Sequence, residues 1–329
     1  MGLLMNGEWV DRWYDTKASK GEFKRQESAF RSWVTADGAA GPTGTDGFAA
    51  ESGRYHLYVS LACPWAHRTL IMRELKGLSD HISVSIVEPL MLENGWEFGP
   101  ERPDHLFGAD FMYEIYLRAD SNYTGRVTVP VLWDKTRNTI VSNESAEILR
   151  MLNSAFDDIT GNRDDYYPHA LRDEIDAINE RVYHGFNNGV YRAGFATSQA
   201  AYEAGYADVF DTLGWLDAVL ARQRYVAGDV ITEADWRLFT TLVRFDAVYF
   251  GHFKCNARMV KDYEHVSGYP RELFQVAGIR ETVDMPYIKA HYYGSHKPIN
   301  PPGVLAVGQE AVSELLKPHG RGAIARSAA

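Results

Sequence analysis

The stretch SLACPWAHRTLI, at residues 60–71, joins a strand pattern to a helix pattern through a Cys-Pro step. The residues before it, RYHLYVSL (54–61), alternate in the way typical of a β-strand. Pro64 suits the first turn of a helix and Gly77 suits its end, so the pattern predicts a helix between them. ISVSIVEP (82–89) predicts a second strand. Strand, helix and strand within about 35 residues predict a βαβ unit with parallel strands.

Two further segments extend this unit. RVTVPVLWD (126–134) predicts a strand that contains Pro130, which belongs at a sheet edge or in a cis bond at the start of the strand. NTIVSNESAEILRML (138–152) predicts a short strand, a turn and a helix. Ser142 or Asn143 is expected to cap that helix, because both residue types accept hydrogen bonds from free backbone N–H groups.

The length of 329 residues favours two domains. Residues 1–52 are polar and rich in Gly, Ala and Ser, and predict an irregular N-terminal arm or lid. Residues 53–160 predict an α/β domain, interrupted by an insertion at 90–125. Residues 161–329 predict an all-helical domain, because apolar residues recur there at three- and four-residue spacing without a strand pattern.

One local motif supports the helical assignment of the second half. Thr232 and Asp235 have the spacing of a capping box, in which the side chains at the two positions satisfy free N–H groups of the first helical turn. The motif predicts a helix that begins directly after Thr232.

Charge and composition exclude several function classes. The formal net charge of −10 argues against a nucleic-acid-binding face, which needs excess basic residues. No apolar run approaches the roughly 18 residues of a membrane span. The sequence turns polar after five residues, which is not typical of a signal peptide, so we expect a cytoplasmic protein. Two cysteines make neither a disulfide framework nor a zinc site.

Cys63 stands where a thiol is easily activated. Free backbone N–H groups and the macrodipole at a helix N-terminus favour the thiolate. The position three residues later is Ala66, not a resolving cysteine, so we expect a mixed disulfide with an external thiol. The alternative is that Cys63 is a small buried apolar residue. Cys255 is expected to pack as a buried apolar residue within a helix.

These residues carry a family resemblance. The strand–Cys-Pro–helix turn, the later Val129-Pro130 and Glu144-Ser145 resemble the thioredoxin-like half of a glutathione transferase, and ITEADWRLF resembles the helical C-terminal domain. The implied fold class is α/β plus all-α: a thioredoxin-like N-terminal domain followed by an all-helical glutathione-transferase C-terminal domain. CPWAHR, SNESAEILRML, FNNGVYRAGF and HYYGSHKPINPPG resemble the glutathionyl-hydroquinone reductases, the Xi class. The resemblance runs from GEWVDRWYDT to INPPG.

The resemblance implies that Cys63 is the nucleophile and that glutathione is the co-substrate. The main chain of Val129 suits the cysteinyl part of this peptide, as a strand edge does. Ser145 and Glu144 suit the γ-glutamyl carboxylate and ammonium, and Arg126 suits a second carboxylate. The same residue types also fit plain roles as helix caps, surface charge and core packing. The implied glutathione-binding residues are Trp96, Arg126, Val127, Thr128, Val129, Glu144 and Ser145.

The resemblance also implies three tyrosines in the helical domain. Tyr191 would be the general acid–base, and Tyr249 and Tyr292 would stabilise the thiolate of Cys63, since a phenol hydroxyl donates to an anion. The three are expected to converge over Cys63. Tyr293 is an alternative to its neighbour Tyr292.

The implied reaction removes glutathione from a glutathionyl-hydroquinone through a mixed disulfide on Cys63. The two oxidised atoms are sulfurs, so no metal, flavin or nicotinamide is expected. His291 and His296 lack a third metal ligand and are expected to be structural. The implied partners are glutathione and a glutathionylated hydroquinone, without nucleic acid or membrane, in a homodimer.

Three other functions remain open from sequence. The first is an omega-like thiol transferase or dehydroascorbate reductase that uses the same Cys63. The second is a transferase that conjugates glutathione to electrophiles; it would need Ser or Tyr near residue 63, where Ser60 is the nearby candidate. The third is a non-enzymatic binding module with an ordinary thiol.

Overall fold

The computed structural model describes residues 2–42, 46–308 and 311–324. The chain divides into two compact units. The first contains Met1–Trp13 and Gln26–Asp165, and the second contains Tyr14–Arg25 and Tyr166–Ala329. The sequence-based boundaries differ from this division, because the predicted arm is shared between the two units and the main boundary lies at Asp165 and not at residue 160.

The first unit is a mixed α/β structure. Its strands are β1 (Leu3–Met5), β2 (Glu8–Val10), β3 (Trp33–Thr35), β4 (Gly47–Ala49), β5 (Tyr55–Val59), β6 (Ile82–Ile86), β7 (Met91–Leu92), β8 (Gly95–Trp96), β9 (Gly125–Arg126), β10 (Val131–Asp134) and β11 (Thr139–Ser142). Its helices are α1 (Pro64–Leu75), α2 (Met112–Ala119), α3 (Ser145–Ser154) and α4 (Asp157–Thr160).

The main sheet has the strand order β11-β10-β5-β6. Strands β5 and β6 are parallel, with Tyr55 opposite Ile82 and Val59 opposite Ile86, and α1 connects them. The predicted βαβ unit is therefore confirmed. All five residues of β5 are buried. Helices α1 and α3 pack against each other, so the first turns of both helices belong to one compact layer.

The predicted strand at 126–134 is not continuous. Arg126 belongs to β9, which pairs with β1 in a separate sheet, and the chain enters β10 only at Val131. Between them lies a cis peptide bond from Val129 to Pro130. Strand β10 has neighbours on both sides. Of the two alternatives for Pro130, the cis bond at the start of the strand is therefore confirmed and the sheet edge is wrong.

The N-terminal 52 residues are more regular than the sequence indicated. They contain β1 to β4, where an irregular arm was expected. Each of these strands has three residues, which is too short for a visible alternation of apolar and polar side chains. The insertion at 90–125 likewise contains the β7–β8 hairpin and α2.

The described part of the second unit is helical. Its longer elements are α5 (Arg172–Val182), α6 (Gly189–Gly194), α7 (Gln199–Leu220), α8 (Glu233–Arg244), α9 (Gly268–Phe274), α10 (Met285–Ser295) and α11 (Ala311–Leu315), with π-helical turns at Tyr183–Asn187 and Phe245–Tyr249. The capping box of Thr232 and Asp235 at the start of α8 is confirmed. Within the described ranges, no helix is long and apolar enough to cross a membrane.

The segment Tyr14–Arg25 packs within the helical unit. The backbone N–H of Thr197 donates to the carbonyl of Gly21 over 3.0 Å, and the Ser198 hydroxyl donates to the carbonyl of Lys20 over 2.9 Å. These bonds fix the segment at the turn between α6 and α7. Phe23 is buried there, with 4 % of its side chain exposed.

Candidate active site

Cys63 is the N-cap of α1. It follows β5 by four positions in an extended conformation (φ −74°, ψ 118°), and Pro64 occupies the first helical turn. The Sγ atom accepts a hydrogen bond from the backbone N–H of Ala66 over 3.5 Å and is partly exposed. The sulfur therefore lies at the positive end of the helix, where negative charge is stabilised.

The segment before Pro130 is held beside this sulfur by Tyr116. The Tyr116 hydroxyl donates to the carbonyl of Thr128 over 2.9 Å and lies 3.2 Å from its backbone nitrogen, which donates in return. Asn143 Nδ2 donates to the same hydroxyl over 3.1 Å. The next carbonyl, that of Val129, lies 3.4 Å from Cys63 Sγ. Tyr116 thus engages both backbone groups of Thr128 and fixes the chain that places Val129.

Glu144, and not Ser142 or Asn143, is the N-cap of α3. Its Oε1 accepts from the backbone N–H of Ala146 over 3.1 Å, and its Oε2 accepts from the hydroxyl of Ser28 over 2.9 Å. Ser142 instead accepts from the backbone N–H of Glu144. The predicted cap was wrong because the turn is one residue longer than expected, which brings the Glu144 carboxylate to the helix end.

Ser145 is the first residue of α3 and is 3 % exposed. Its hydroxyl accepts from Arg68 Nη1 over 3.4 Å. Arg68 is 1 % exposed and its guanidinium lies over the ring of Trp65 at 4.5 Å. A buried positive charge beside the N-terminus of a helix is a favourable setting for a carboxylate.

Arg126, predicted to pair with a carboxylate, contacts backbone carbonyls in the structure. The Arg126 guanidinium donates to two backbone carbonyls, those of Gly2 over 3.2 Å and Arg12 over 2.6 Å. It thereby ties down the chain around β1 and β2. Trp96 pairs with Met91 in the β7–β8 hairpin and is 7 % exposed. Val127 and Val129 are buried as well.

Tyr191, Tyr249 and Tyr292 form a hydrogen-bonded cluster in the helical unit. The hydroxyl of Tyr292 lies 2.6 Å from that of Tyr191 and 2.9 Å from that of Tyr249. We call these three residues the tyrosine cluster. Tyr293 points elsewhere, because its hydroxyl donates to the carbonyl of Ala247 over 3.2 Å. The three tyrosines predicted from the resemblance therefore come together within the helical unit.

Burial keeps the hydroxyls of Tyr249 and Tyr292 protonated. Desolvation raises the pKa of Tyr249 and of Tyr292 well above the ordinary value for tyrosine, and the nearby Tyr191 raises both further. The positive charge of Arg244 acts in the opposite direction on both pKa values. At neutral pH the two are therefore phenols that can donate a hydrogen bond.

The histidines beside the cluster are packed against one another. His252 Nε2 lies 3.0 Å from His296 Nδ1, and His291 Nδ1 lies 3.4 Å from the hydroxyl of Ser295. Burial lowers the pKa of His252 to about 4 and that of His296 well below its usual value. In the ranges that the structure describes, no group of three or more His, Cys, Asp or Glu side chains is arranged to hold a metal.

Cys255 is buried, as predicted, but lies in the loop after the second π-helical turn and not within a helix. Desolvation raises the pKa of its thiol to about 12. The two cysteines are therefore in contrasting settings, since Cys63 is partly exposed at a helix end.

Sequence reasoning did not find Ser28, Arg68, Tyr116 or Asn143 as site residues. Each makes a contact with a residue far away in the chain. Tyr116 and Asn143 are 27 positions apart, and Ser28 and Glu144 are 116 positions apart. Arg68 was within the quoted CPWAHR motif, one turn into α1; a basic residue inside an apolar helix face was the one available signal.

Comparisons with known proteins show the family of the chain. Residues 62–155 match the family model described as Glutathione S-transferase, N-terminal domain, and residues 199–271 match that described as Glutathione S-transferase, C-terminal domain. The chain is 57 % identical to the glutathionyl-hydroquinone reductase YqjG of Escherichia coli, with 98 % of each chain covered. It is 53 % identical to the glutathionyl-hydroquinone reductase PcpF of Sphingobium chlorophenolicum, with 94 % of this chain and 96 % of that one covered.

Solved structures give the same result. The glutathione-bound structure of E. coli YqjG superposes with a TM-score of 0.89 at 53 % identity, over 97 % of this chain and 99 % of that one. The Xi-class glutathione transferase of Natrialba magadii superposes with a TM-score of 0.88 at 46 % identity, over 98 % and 96 % of the two chains. The chain therefore belongs to the glutathionyl-hydroquinone reductase family, the Xi class of the glutathione transferases.

Proposed function

We propose that this protein is a glutathione-dependent reductase that removes glutathione from glutathionyl-hydroquinones. The observation that carries the proposal is the position of Cys63 as N-cap of α1, with Ala66 where a resolving cysteine would stand. A thiolate at this position forms a mixed disulfide with an external thiol and needs a second external thiol for release. Glutathione serves as that second thiol and is the co-substrate.

The carbon–sulfur bond of the substrate needs an acid before it can break. A thiolate cannot expel an aryl carbanion, but a proton on the ring carbon that bears sulfur converts the ring into a keto tautomer. We assign this proton to Tyr191, supported by the hydroxyls of Tyr292 and Tyr249. Cys63 then attacks the glutathione sulfur, the carbon–sulfur bond breaks, and its electron pair restores the aromatic ring as a phenolate. A proton from solvent converts the phenolate into the hydroquinone, and the hydroxyl proton released in the tautomerisation returns to the Tyr191 tyrosinate.

The second half-reaction closes the cycle. The thiolate of a second glutathione attacks the disulfide between Cys63 and glutathione, which forms oxidised glutathione and returns the Cys63 thiolate. The ring carbon keeps its new hydrogen and is reduced, while two sulfurs are oxidised to a disulfide. One glutathionyl-hydroquinone and one glutathione thus give one hydroquinone and one oxidised glutathione, so the electrons balance without another cofactor.

The glutathione site is proposed around the N-termini of α1 and α3. Ser145 and the buried Arg68 suit the γ-glutamyl carboxylate, Glu144 suits the ammonium, and the backbone of Val129 suits the cysteinyl part. Trp96, Val127 and Thr128 are assigned to the wall of this site. Arg126 is assigned to the remaining carboxylate, for which it would exchange one of its bonds to the carbonyls of Gly2 and Arg12.

Product analysis tests the proposal. The protein, glutathione and a glutathionyl-hydroquinone are expected to yield hydroquinone and oxidised glutathione in equal amounts. Cys63→Ser and Cys63→Ala should both abolish turnover, while the matched variant Cys255→Ala retains it. Reduction of dehydroascorbate without release of hydroquinone would instead favour an omega-like thiol transferase or dehydroascorbate reductase; two relatives are named glutathione S-transferase omega-like 2.

We further propose that the protein is a cytoplasmic homodimer. The family resemblance motivates the dimer, and the composition motivates the location. Light scattering coupled to gel filtration would decide the first point: a mass near twice the 37.1 kDa of one chain is expected, and a monomer at working concentration would exclude it. Fractionation of cells that produce the full chain tests the second.

A further inference from the structure

Arg25 places a positive charge against the ring of Tyr191. Its guanidinium carbon lies over that ring, 5.1 Å from the ring centre, and 5.6 Å from the ring centre of Phe23. A cation within about 6 Å of an aromatic face is attracted by the electrons of the ring. Arg25 is the last residue of the segment that packs within the helical unit, so this contact lies inside one unit.

The position of the guanidinium is fixed by the helix that carries Tyr191. Arg25 Nε donates to Asn188 Oδ1 over 3.3 Å, and the carbonyl of Asn188 accepts from the backbone N–H of Tyr191 over 3.1 Å. The Phe23 ring, which Arg25 also contacts, lies 5.2 Å from that of Phe195. The cation and the phenol are therefore held by the same short stretch of backbone.

We propose that Arg25 is a positioning residue for the acid–base step, and that its charge stabilises the tyrosinate that Tyr191 becomes after giving up its proton. This inference rests on the proposed role of Tyr191. The proton passes from Tyr191 Oη to the ring carbon of the substrate, and the negative charge left behind spreads from the oxygen into the phenol ring. A cation over that ring therefore binds the tyrosinate more strongly than the phenol.

Several other charged or titratable groups in the described ranges lie around the tyrosine cluster. The hydroxyls of Tyr292 and Tyr249 stay protonated because burial raises their pKa, and Tyr292 donates a hydrogen bond to a tyrosinate from 2.6 Å. Arg192, on the same helix, pairs with Asp208. Arg244 is buried and its charge acts to lower the pKa of Tyr249 and of Tyr292, while the rings of His252, His291 and His296 lie beside that of Tyr292.

The test removes the charge of Arg25 and keeps the aliphatic part of its side chain. Arg25→Met retains an unbranched apolar side chain of similar length, and Arg25→Lys retains the charge. For Arg25→Met we expect kcat to fall about tenfold, the size of a cation–π contact that is partly desolvated. The alkaline limb of the kcat profile should move to higher pH, because an unassisted phenol is a weaker acid. KM for glutathione should stay within about twofold, and Arg25→Lys should recover most of the rate.

Two further variants separate this inference from the proposed function. Arg192→Met removes a neighbouring charge and should leave the pH profile unchanged. Tyr191→Phe should lower turnover to a small residual rate, and adding Arg25→Met to it should cause no further loss. If Tyr191→Phe remains active, the proposed acid is wrong and the inference fails with it. If Tyr191→Phe retains only a small residual rate while Arg25→Met keeps the wild-type pH profile, or lowers that residual rate further in the double variant, only the role of Arg25 is overturned.

Discussion

The hydroxyl oxygen of Tyr292 lies 2.6 Å from that of Tyr191, a residue 101 positions earlier in the chain. Tyr292 also bonds to Tyr249, so it is the central member of the tyrosine cluster. A phenol in the centre can donate to one neighbour while it accepts from the other. When Tyr191 loses its proton, the hydrogen bonds can turn toward it without movement of the rings.

Replacement of the central hydroxyl should slow the chemical step. We expect Tyr292→Phe to lower kcat by about 10²-fold, the range seen when one donor to a developing oxyanion is removed. KM for glutathione should change little, since the cluster lies in the helical unit. Tyr293→Phe is the matched control, because its hydroxyl donates to the carbonyl of Ala247 outside the cluster. Equal losses in the two variants would show that the effect is structural.

The two thiols should differ sharply in reactivity. Iodoacetamide at neutral pH is expected to label Cys63, which is partly exposed at a helix N-terminus, and to spare Cys255, whose pKa burial raises to about 12. Peptide mass spectrometry after brief labelling measures both sites in one sample. Labelling of Cys63 no faster than that of a cysteine in a short unstructured peptide would contradict an activated thiol. Labelling of Cys255 in the native protein would contradict its burial.

Tyr116 should stabilise the segment beside Cys63. In Tyr116→Phe, Asn143 Nδ2 and both backbone groups of Thr128 lose their partner. Each buried group left unsatisfied costs about 1–3 kcal/mol, so the loss of three partners should lower the free energy of unfolding by about 3 kcal/mol or more. KM for glutathione should rise, because the carbonyl of Val129 is no longer fixed. Urea denaturation and initial rates measure the two effects.

A matched control is available on the same helix. Tyr113 is partly exposed, and its ring stacks on Trp9. Tyr113→Phe keeps that stacking and should leave both stability and KM close to wild type. A loss of stability as large in Tyr113→Phe as in Tyr116→Phe would show that the hydrogen bonds to Thr128 are unimportant.

Stability should fall in mild acid because of buried histidines. Burial lowers the pKa of His56 and of His252 to about 4, from about 6.5 in an unfolded chain. Between these values the unfolded chain binds more protons than the folded one, so stability is full above about pH 6.5 and is lost as the pH falls toward 4. Each group contributes up to about 3 kcal/mol to this loss. Urea midpoints measured across this range provide the test.

The variant His252→Gln should flatten this acid decline. His184→Gln is the control, because the His184 side chain is 63 % exposed. If His252→Gln shows the same slope against pH as His184→Gln, His252 is not buried in its neutral form.

The sequence determined the parts of this protein that depend on near neighbours. The strand–Cys63–helix turn, the parallel β5–β6 pair and the capping box at Thr232 follow from periodicities of two and 3.6 residues and from the chemistry of helix ends, which act within a few positions of the chain. Family motifs added the three tyrosines, whose hydroxyls meet in the structure.

Only the tertiary structure decided which distant groups meet. It showed that Glu144 takes the cap from Ser142 and Asn143, that the Arg126 guanidinium lies on backbone carbonyls, and that Tyr292 rather than Tyr293 joins the cluster. It also divided the N-terminal arm, because Tyr14–Arg25 belongs to the helical unit and the rest of the arm belongs to the first unit. Most of these features depend on contacts between segments that are far apart in the chain, about 50 to 180 positions, for which a short sequence pattern carries no periodic signal.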